Sequence, residues 1–403
     1  MKSNSKIKNL GLVALLLLFA ALVTVAGYFA GKGLASIHDT KDPNSVEKTN
    51  RELVDVYFIR EGSLYKQAPT GEQTIVVEKH DGYTVSDFLI AGDATTSYIV
   101  YSLSSSFTKS ATDYTFDLAI QVNLLNLSTN ETTTLVGPLS PVLDDTNPEY
   151  VRGMVVAKDG MKLAISTGEK LKVFDLSTGQ NADYLIPEEG DEGCTFAWIP
   201  KFWVNDTALA LTLGCYEGYK GMIYDTESQK FLDDLGITYT SGSVLLDSVE
   251  DNQYLTSGFS SGSNAKLELH IIGAKATRTI GETGSYSNLV YSQTNNKIYY
   301  IASETPYVAY TNNNRTWHVW ESSADGQTTK RLTKEASDLK TKSNLWVDPS
   351  GRTLTYDEYY TYQASQVMSG DTSLVVSHVI DLETGVNYTV DNASKAKVNS
   401  TTN

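Results

Sequence analysis

The side chains that could do chemistry are few and dispersed. Carboxylates gather at Asp144-Asp145 with nearby Glu149, at Glu188-Glu189 with Asp191-Glu192, and at Asp357-Glu358. Such groups suit two tasks, oxygen ligation of calcium or the acid and base of a glycosidase. Asp144, Asp145 and Glu149 are the candidates for a calcium site, although their loop has no EF-hand pattern. The five histidines, His38, His80, His270, His318 and His378, lack metal-ligand spacing, so no other metal or cofactor is expected and no catalytic residue is assigned. Aromatic residues are denser. Tyr307, Tyr310, Trp317, Tyr359 and Tyr360 fall in or beside expected connections and are the candidates for a binding surface. Tyr and Trp give large contact area at little entropic cost.

Two motifs carry less than their letters suggest. Gly258-Phe259-Ser260-Ser261-Gly262 has the Gly-x-Ser-x-Gly form of a nucleophile elbow, which needs a strand before it and a helix after it. Here a second strand follows, and the segment reads as a hairpin. Ser322-Ser323-Ala324-Asp325-Gly326 approaches a sialidase Asp-box but is one residue short between Asp and Gly, and reads as a turn. The two cysteines, Cys194 and Cys215, lie on successive strands. A turn at Trp203–Asp206 with Phe202 facing Thr207 sets Cys194 opposite Cys215, at the separation a disulfide needs. Two buried thiols are the other reading.

The elements that must position these residues are short strands. Asp159-Gly160 opens a unit in which Met161–Ser166, Leu171–Leu176 and a strand ending at Ile186 are separated by Gly, Ser and Thr turns. Such a unit cannot bury its own apolar face and must stack on copies of itself. Copies recur every 42 to 63 residues, four strands to each, from Leu53 to Asp391. That period predicts an all-β fold, a single β-propeller of seven four-stranded blades, with six or eight left open. The first unit lacks an innermost strand, which the C-terminal tail is positioned to add. Longer polar connections are expected at Ser104–Asp113, Asp144–Glu149 and Glu304–Asn314.

Charge and the N-terminus bear on location. Lys and Arg number 32 against 48 Asp and Glu, a net charge of −16, which disfavours nucleic acid as a partner. Residues 1–9 carry three lysines, and Leu10–Ala30 is uncharged and long enough to cross a bilayer. It is read as a signal anchor in the lipid bilayer, with the N-terminus cytoplasmic and the propeller outside. A cleaved signal peptide is the competing reading. The expected order is a cytoplasmic tail (1–9), a transmembrane helix (10–30), a stalk (31–52), the propeller (53–391) and a flexible tail (392–403).

Two kinds of turn resemble those of known propellers. Asp348-Pro349-Ser350-Gly351 with Thr353–Tyr356, and Lys158-Asp159-Gly160, resemble the Pro-Asp-Gly turn of TolB-like propellers. Phe174-Asp175-Leu176-Ser177-Thr178-Gly179 and Ile380-Asp381-Leu382-Glu383-Thr384-Gly385 are similar to the aromatic-Asp-x-x-Thr-Gly segment that TolB-like, WD-repeat and quinoprotein-like propellers share. The resemblance implies architecture; one scaffold serves many roles. Gly-His and Trp-Asp pairs are missing, as is a docking Trp in every copy, so no ligand is carried over. The function expected is non-catalytic binding of a protein, peptide or glycan partner outside the cytoplasm, or scaffolding of an envelope complex. The alternative is a glycoside hydrolase or polysaccharide lyase using carboxylates near the channel.

Overall fold

The structure is a computed structural model. It describes residues 54–399 apart from 81, 93–95, 110–113, 143–147, 168–169, 186–193, 216–217, 233–243, 250–251, 259–263, 275–276, 306–315, 335–339, 364–366 and 368–370. The expected anchor at 10–30 lies outside the described residues, among which no helix is long and apolar enough to cross a membrane. Strands β1 (Val56–Arg60), β2 (Ser63–Gln67) and β3 (Gln73–Val77) open the chain. Six meanders follow. They are β4–β7 (Thr84–Gly92, Ser97–Lys109, Tyr114–Asn126, Thr132–Val136), β8–β11 (Val151–Val156, Lys162–Thr167, Lys170–Asp175, Asn181–Leu185) and β12–β15 (Cys194–Trp203, Ala208–Cys215, Gly218–Asp225, Lys230–Phe231). Then come β16–β19 (Val244–Ser248, Gln253–Gly258, Ala265–Ile271, Arg278–Thr283), β20–β23 (Ser285–Ser292, Lys297–Ser303, His318–Ser323, Thr329–Arg331) and β24–β27 (Lys340–Val347, Thr353–Tyr360, Val376–Asp381, Asn387–Asp391). The last strand is β28 (Ser394–Val398), and among the described residues helix is confined to single-turn segments between β25 and β26.

Each meander is an antiparallel four-stranded sheet, and the seventh sheet has the order β28-β1-β2-β3. The chain is a seven-bladed propeller in which β28 completes blade 1. Residues 394–398, expected to fray, are thus a strand, with Ala396 and Val398 buried. Apolar packing follows the ring. Seven clusters of buried side chains each join one pair of neighbouring blades, from Tyr57, Ile59 and Leu64 on Val85 and Phe88 round to Val56 and Val398 on Val379 and Val390. A lone blade buries neither face; between neighbours both are covered.

Turn chemistry explains why the strands stop where they do. In the β10–β11 turn the Asp175 carboxylate accepts from the backbone N–H groups of Ser177 (2.9 Å) and Thr178 (3.1 Å). Asp381 does the same for Glu383 (3.0 Å) and Thr384 (2.8 Å). The repeated Asp-x-x-Thr-Gly segment is therefore a turn device. Gly160 sits at φ 75°, where a Cβ would lie 2.0 Å from the Gly92 carbonyl oxygen. The turn before β9 can dock on blade 2 only as glycine.

Every inner strand (β4, β8, β12, β16, β20, β24 and β28) carries extra residues relative to its partner. The surplus falls at Ser86, Arg152, Lys201, Leu246 and Ser287, at Asn344-Leu345, and within Ser394–Lys397. Bulges increase local twist, as steeply twisted blades around an axis require. They also shift register. The β12–β13 turn spans 204–207 and pairs Phe202 with Ala210, not Thr207, yet two bulges restore Cys194 opposite Cys215. The side chains of both cysteines lie outside the described ones. The Ser104–Asp113 connection is mostly strand, because β5 and β6 extend as a ribbon pairing Phe107 with Phe116 and Lys109 with Tyr114.

Candidate functional site

Connections between second and third strands, and between one blade and the next, open on one face of the ring, here the loop face. The opposite face holds short turns. The described strand ends that flank the three long connections expected from sequence (β5 and β6, β7 and β8, β21 and β22) lie on the loop face. On blade 7 its rim is built by the loop-face ends of β24 and β25 and by residues 361–363 and 371–375. Alternation along β25 sends Tyr356, Glu358 and Tyr360 to one side of the sheet and Asp357 and Tyr359 to the other.

On the first side Glu358 pairs with the ammonium groups of Lys340 and Lys342, each at 2.9 Å, and His378 Nε2 lies 3.7 Å away. Lys342 is buried, and the His378 ring stacks on Tyr356 at 4.6 Å. Burial by itself would raise the Glu358 pKa. His378, Lys340 and Lys342 together outweigh it and hold the group well below the usual carboxylate range. Above this cluster Tyr360 and Tyr362 stack at 5.4 Å, with the Lys340 ammonium 5.4 Å from the Tyr360 ring centre. Tyr360 is 38% exposed and Tyr362 76%. The result is an aromatic pair in solvent, rooted in a buried ionic cluster.

On the other side Asp357 is buried and accepts from Asn344 Nδ2 (2.7 Å), Ser377 Oγ (2.5 Å) and the Lys395 backbone N–H (2.7 Å). Burial raises its pKa against the opposing pull of those donors. Asp357 therefore ties β28 to blade 7. Lys395 Nζ reaches the carbonyl oxygen of Ser86 (2.8 Å) and Asp87 Oδ1 (3.2 Å) on blade 2, and Lys397 Nζ donates to the carbonyl of Phe88. Asp247 accepts from the N–H groups of Ser248 (2.7 Å) and Tyr291 (2.8 Å), and burial lifts it to about 6. These carboxylates hold the ring together.

The residues singled out from sequence are not gathered in one place. Tyr307, Tyr310, Asp144 and Asp145 lie outside the described residues. Trp317 is half-buried against the cluster between blades 6 and 7. Tyr359 is 9% exposed and faces inward, because it alternates with Tyr360 along one strand. Glu149 is exposed and 3.8 Å from Lys170. Among the described residues no group of three His, Cys, Asp or Glu could hold a metal ion. Sequence reading passed over Lys340, Lys342 and His378. The alternating Lys-x-Lys was visible, but the β24 bulge hides its register with Glu358.

No family profile matches the sequence, and no curated protein matches it. Solved structures do. TolB from Acinetobacter baumannii is 11% identical with a TM-score of 0.41, over 79% of this chain and 82% of that one. Pyrococcus horikoshii acylaminoacyl peptidase is 11% identical with a TM-score of 0.50, over 77% of this chain and 46% of that one. Oligogalacturonate lyase from Vibrio parahaemolyticus is 13% identical with a TM-score of 0.40, over 75% and 73%. What the sheets themselves show is a β-propeller of seven four-stranded blades. At such identities the likeness extends to fold alone, and the three names span different activities.

Proposed function

We propose that this TolB-like propeller is a non-catalytic module that captures a protein or peptide partner on its loop face. In this reading it is displayed outside the cytoplasm on the apolar segment Leu10–Ala30. The observation that carries the proposal is the exposed Tyr360–Tyr362 stack, held by Lys340 and rooted in the Glu358 cluster. Rigid aromatic side chains on a fixed strand end are what binding hot spots are made of. An oxidising compartment also suits a bond between Cys194 and Cys215.

Tyr360→Ala with Tyr362→Ala is expected to weaken partner capture at least about tenfold while thermal unfolding stays unchanged. Capture at wild-type strength would contradict the proposal, and capture of a glycan in place of a protein would reassign the partner. The hydrolase or lyase alternative needs two carboxylates free to exchange protons. Asp87, Asp247, Asp357 and Glu358 are each engaged by lysines or N–H and O–H donors, and no observation favours that alternative.

A further inference from the structure

A cavity of about 250 Å³ lies between blades 5 and 6, on the face opposite the loop face. Blade 5 lines it with Val249, Leu269 and Arg278, and blade 6 with Asn296, Ala324 and Asp325. Its apolar lining is the edge of the inter-blade core, in which Val249 and Leu269 are buried and against which Ala324 packs. Asp325 belongs to the Ser322–Gly326 turn, the segment that approaches an Asp-box in sequence. Gly326 sits at φ 75°, where a Cβ would lie 2.2 Å from the Ile280 carbonyl oxygen. The turn is therefore pressed onto β19 of blade 5, and only glycine allows it.

The polar groups around this space are held in place yet keep bonding capacity. The Asp325 carboxylate accepts through Oδ1 from Ser323 Oγ (2.6 Å) and the Gln327 N–H (3.0 Å), and its Oδ2 bonds to no other described residue. The Tyr291 hydroxyl donates to Asn296 Oδ1 at 2.8 Å, which leaves the Nδ2 donors unpaired among the described residues. Arg278 makes one long bond, from Nη2 to the Ala324 carbonyl oxygen at 3.4 Å, and no ion pair among the described residues. A guanidinium and a carboxylate thus line one cavity from neighbouring blades without pairing.

Two opposite charges around one small space fit a ligand that carries both. A guanidinium beside an amide donor suits a carboxylate, which accepts charge-assisted hydrogen bonds. Asp325 Oδ2 suits an ammonium, and it would repel a ligand that brought a carboxylate alone. The apolar lining favours a hydrocarbon side chain. The volume falls just below the range of about 300–1,000 Å³ that holds drug-sized molecules, so the occupant is small. We propose that this cavity binds a free α-amino acid with a short apolar side chain. Its carboxylate would lie on Arg278 and Asn296, its ammonium on Asp325, and its side chain on Val249, Leu269 and Ala324. The site does not depend on the identity of any partner at the loop face. A ligand that bridges two blades of the folded ring also stabilises it.

The test is calorimetric titration of the purified full chain, in a non-ionic detergent, with L-leucine. Leucinamide, which lacks the carboxylate, and isocaproate, which lacks the ammonium, are titrated for comparison. One L-leucine per chain is expected, and each comparison compound should bind at least about tenfold more weakly. Arg278→Gln and Asp325→Asn are each expected to weaken leucine binding at least about tenfold, and Ala324→Leu, which fills the cavity, to abolish it. Lys230→Ala, at an exposed position on outer strand β15, is expected to change nothing. Leucine should raise the melting temperature of the wild type and not that of Arg278→Gln, while melting without ligand checks that the variants are folded. No leucine binding at millimolar concentration, equal binding of the three compounds, or unchanged binding by Arg278→Gln would overturn the proposal.

Discussion

Asp357 and Glu358 are neighbours in sequence and opposites in setting. Burial raises the pKa of Asp357, whereas the lysines and His378 around Glu358 hold it low. Their contributions to stability therefore run in opposite directions with pH. Glu358 stabilises above its unfolded value of about 4.3, and that contribution is lost as pH falls through its depressed folded value. Asp357 stabilises below its unfolded value of about 3.9, and that contribution is lost as pH rises through its raised folded value. Denaturant unfolding across pH 3–8 tests both. Glu358→Gln leaves Lys342 buried without its partner and is expected to cost about 3 kcal/mol at neutral pH, with the deficit shrinking below about pH 4. For Asp357→Asn the deficit should instead be largest in acid and narrow as pH rises. Parallel pH profiles for the two variants would refute the opposite assignments. From sequence these carboxylates look like a pair for chemistry. The two-residue period of a strand already separates them, as it separates buried Tyr359 from exposed Tyr360.

At the scale of elements, register and ring closure are where local sequence stops being informative. Cys194 and Cys215 do pair in register, but through two bulges and a turn one residue along from the one that simple pairing suggests. The bulges cannot be read from alternation because each inserts a residue without a marker. If the two sulfurs are bonded, thiol titration of the unfolded, unreduced protein returns no free thiol, and reduction costs about 3 kcal/mol. Two titratable thiols would refute the bond. Strand β28 is harder still to see: Ser-Lys-Ala-Lys-Val sits in an Asn- and Ser-rich tail, and only the missing partner of β1 signals it. Removing residues 392–403 strips Ala396 and Val398 from the blade 1–7 cluster and exposes the β1 edge. Expression as aggregate or protease-sensitive protein is expected, and wild-type melting would show that the ring closes without β28.

For the whole molecule, the repeat was legible because each blade states the same physics: period-two strands, Asp- and Gly-bearing turns, and apolar faces with nothing of their own to cover them. Seven inter-blade clusters are the consequence. The site was less legible, since it depends on which strand ends reach one rim, and that is a property of the ring. The central functional claim is that the loop face of blade 7 captures a partner. Site-specific photocrosslinking in the intact envelope tests it most directly, with the reactive group at Tyr362 on the loop face or at Lys230 on an outer strand. The account predicts a discrete protein adduct from position 362 and none from position 230. Equal adducts from both positions, or none from 362, would contradict it.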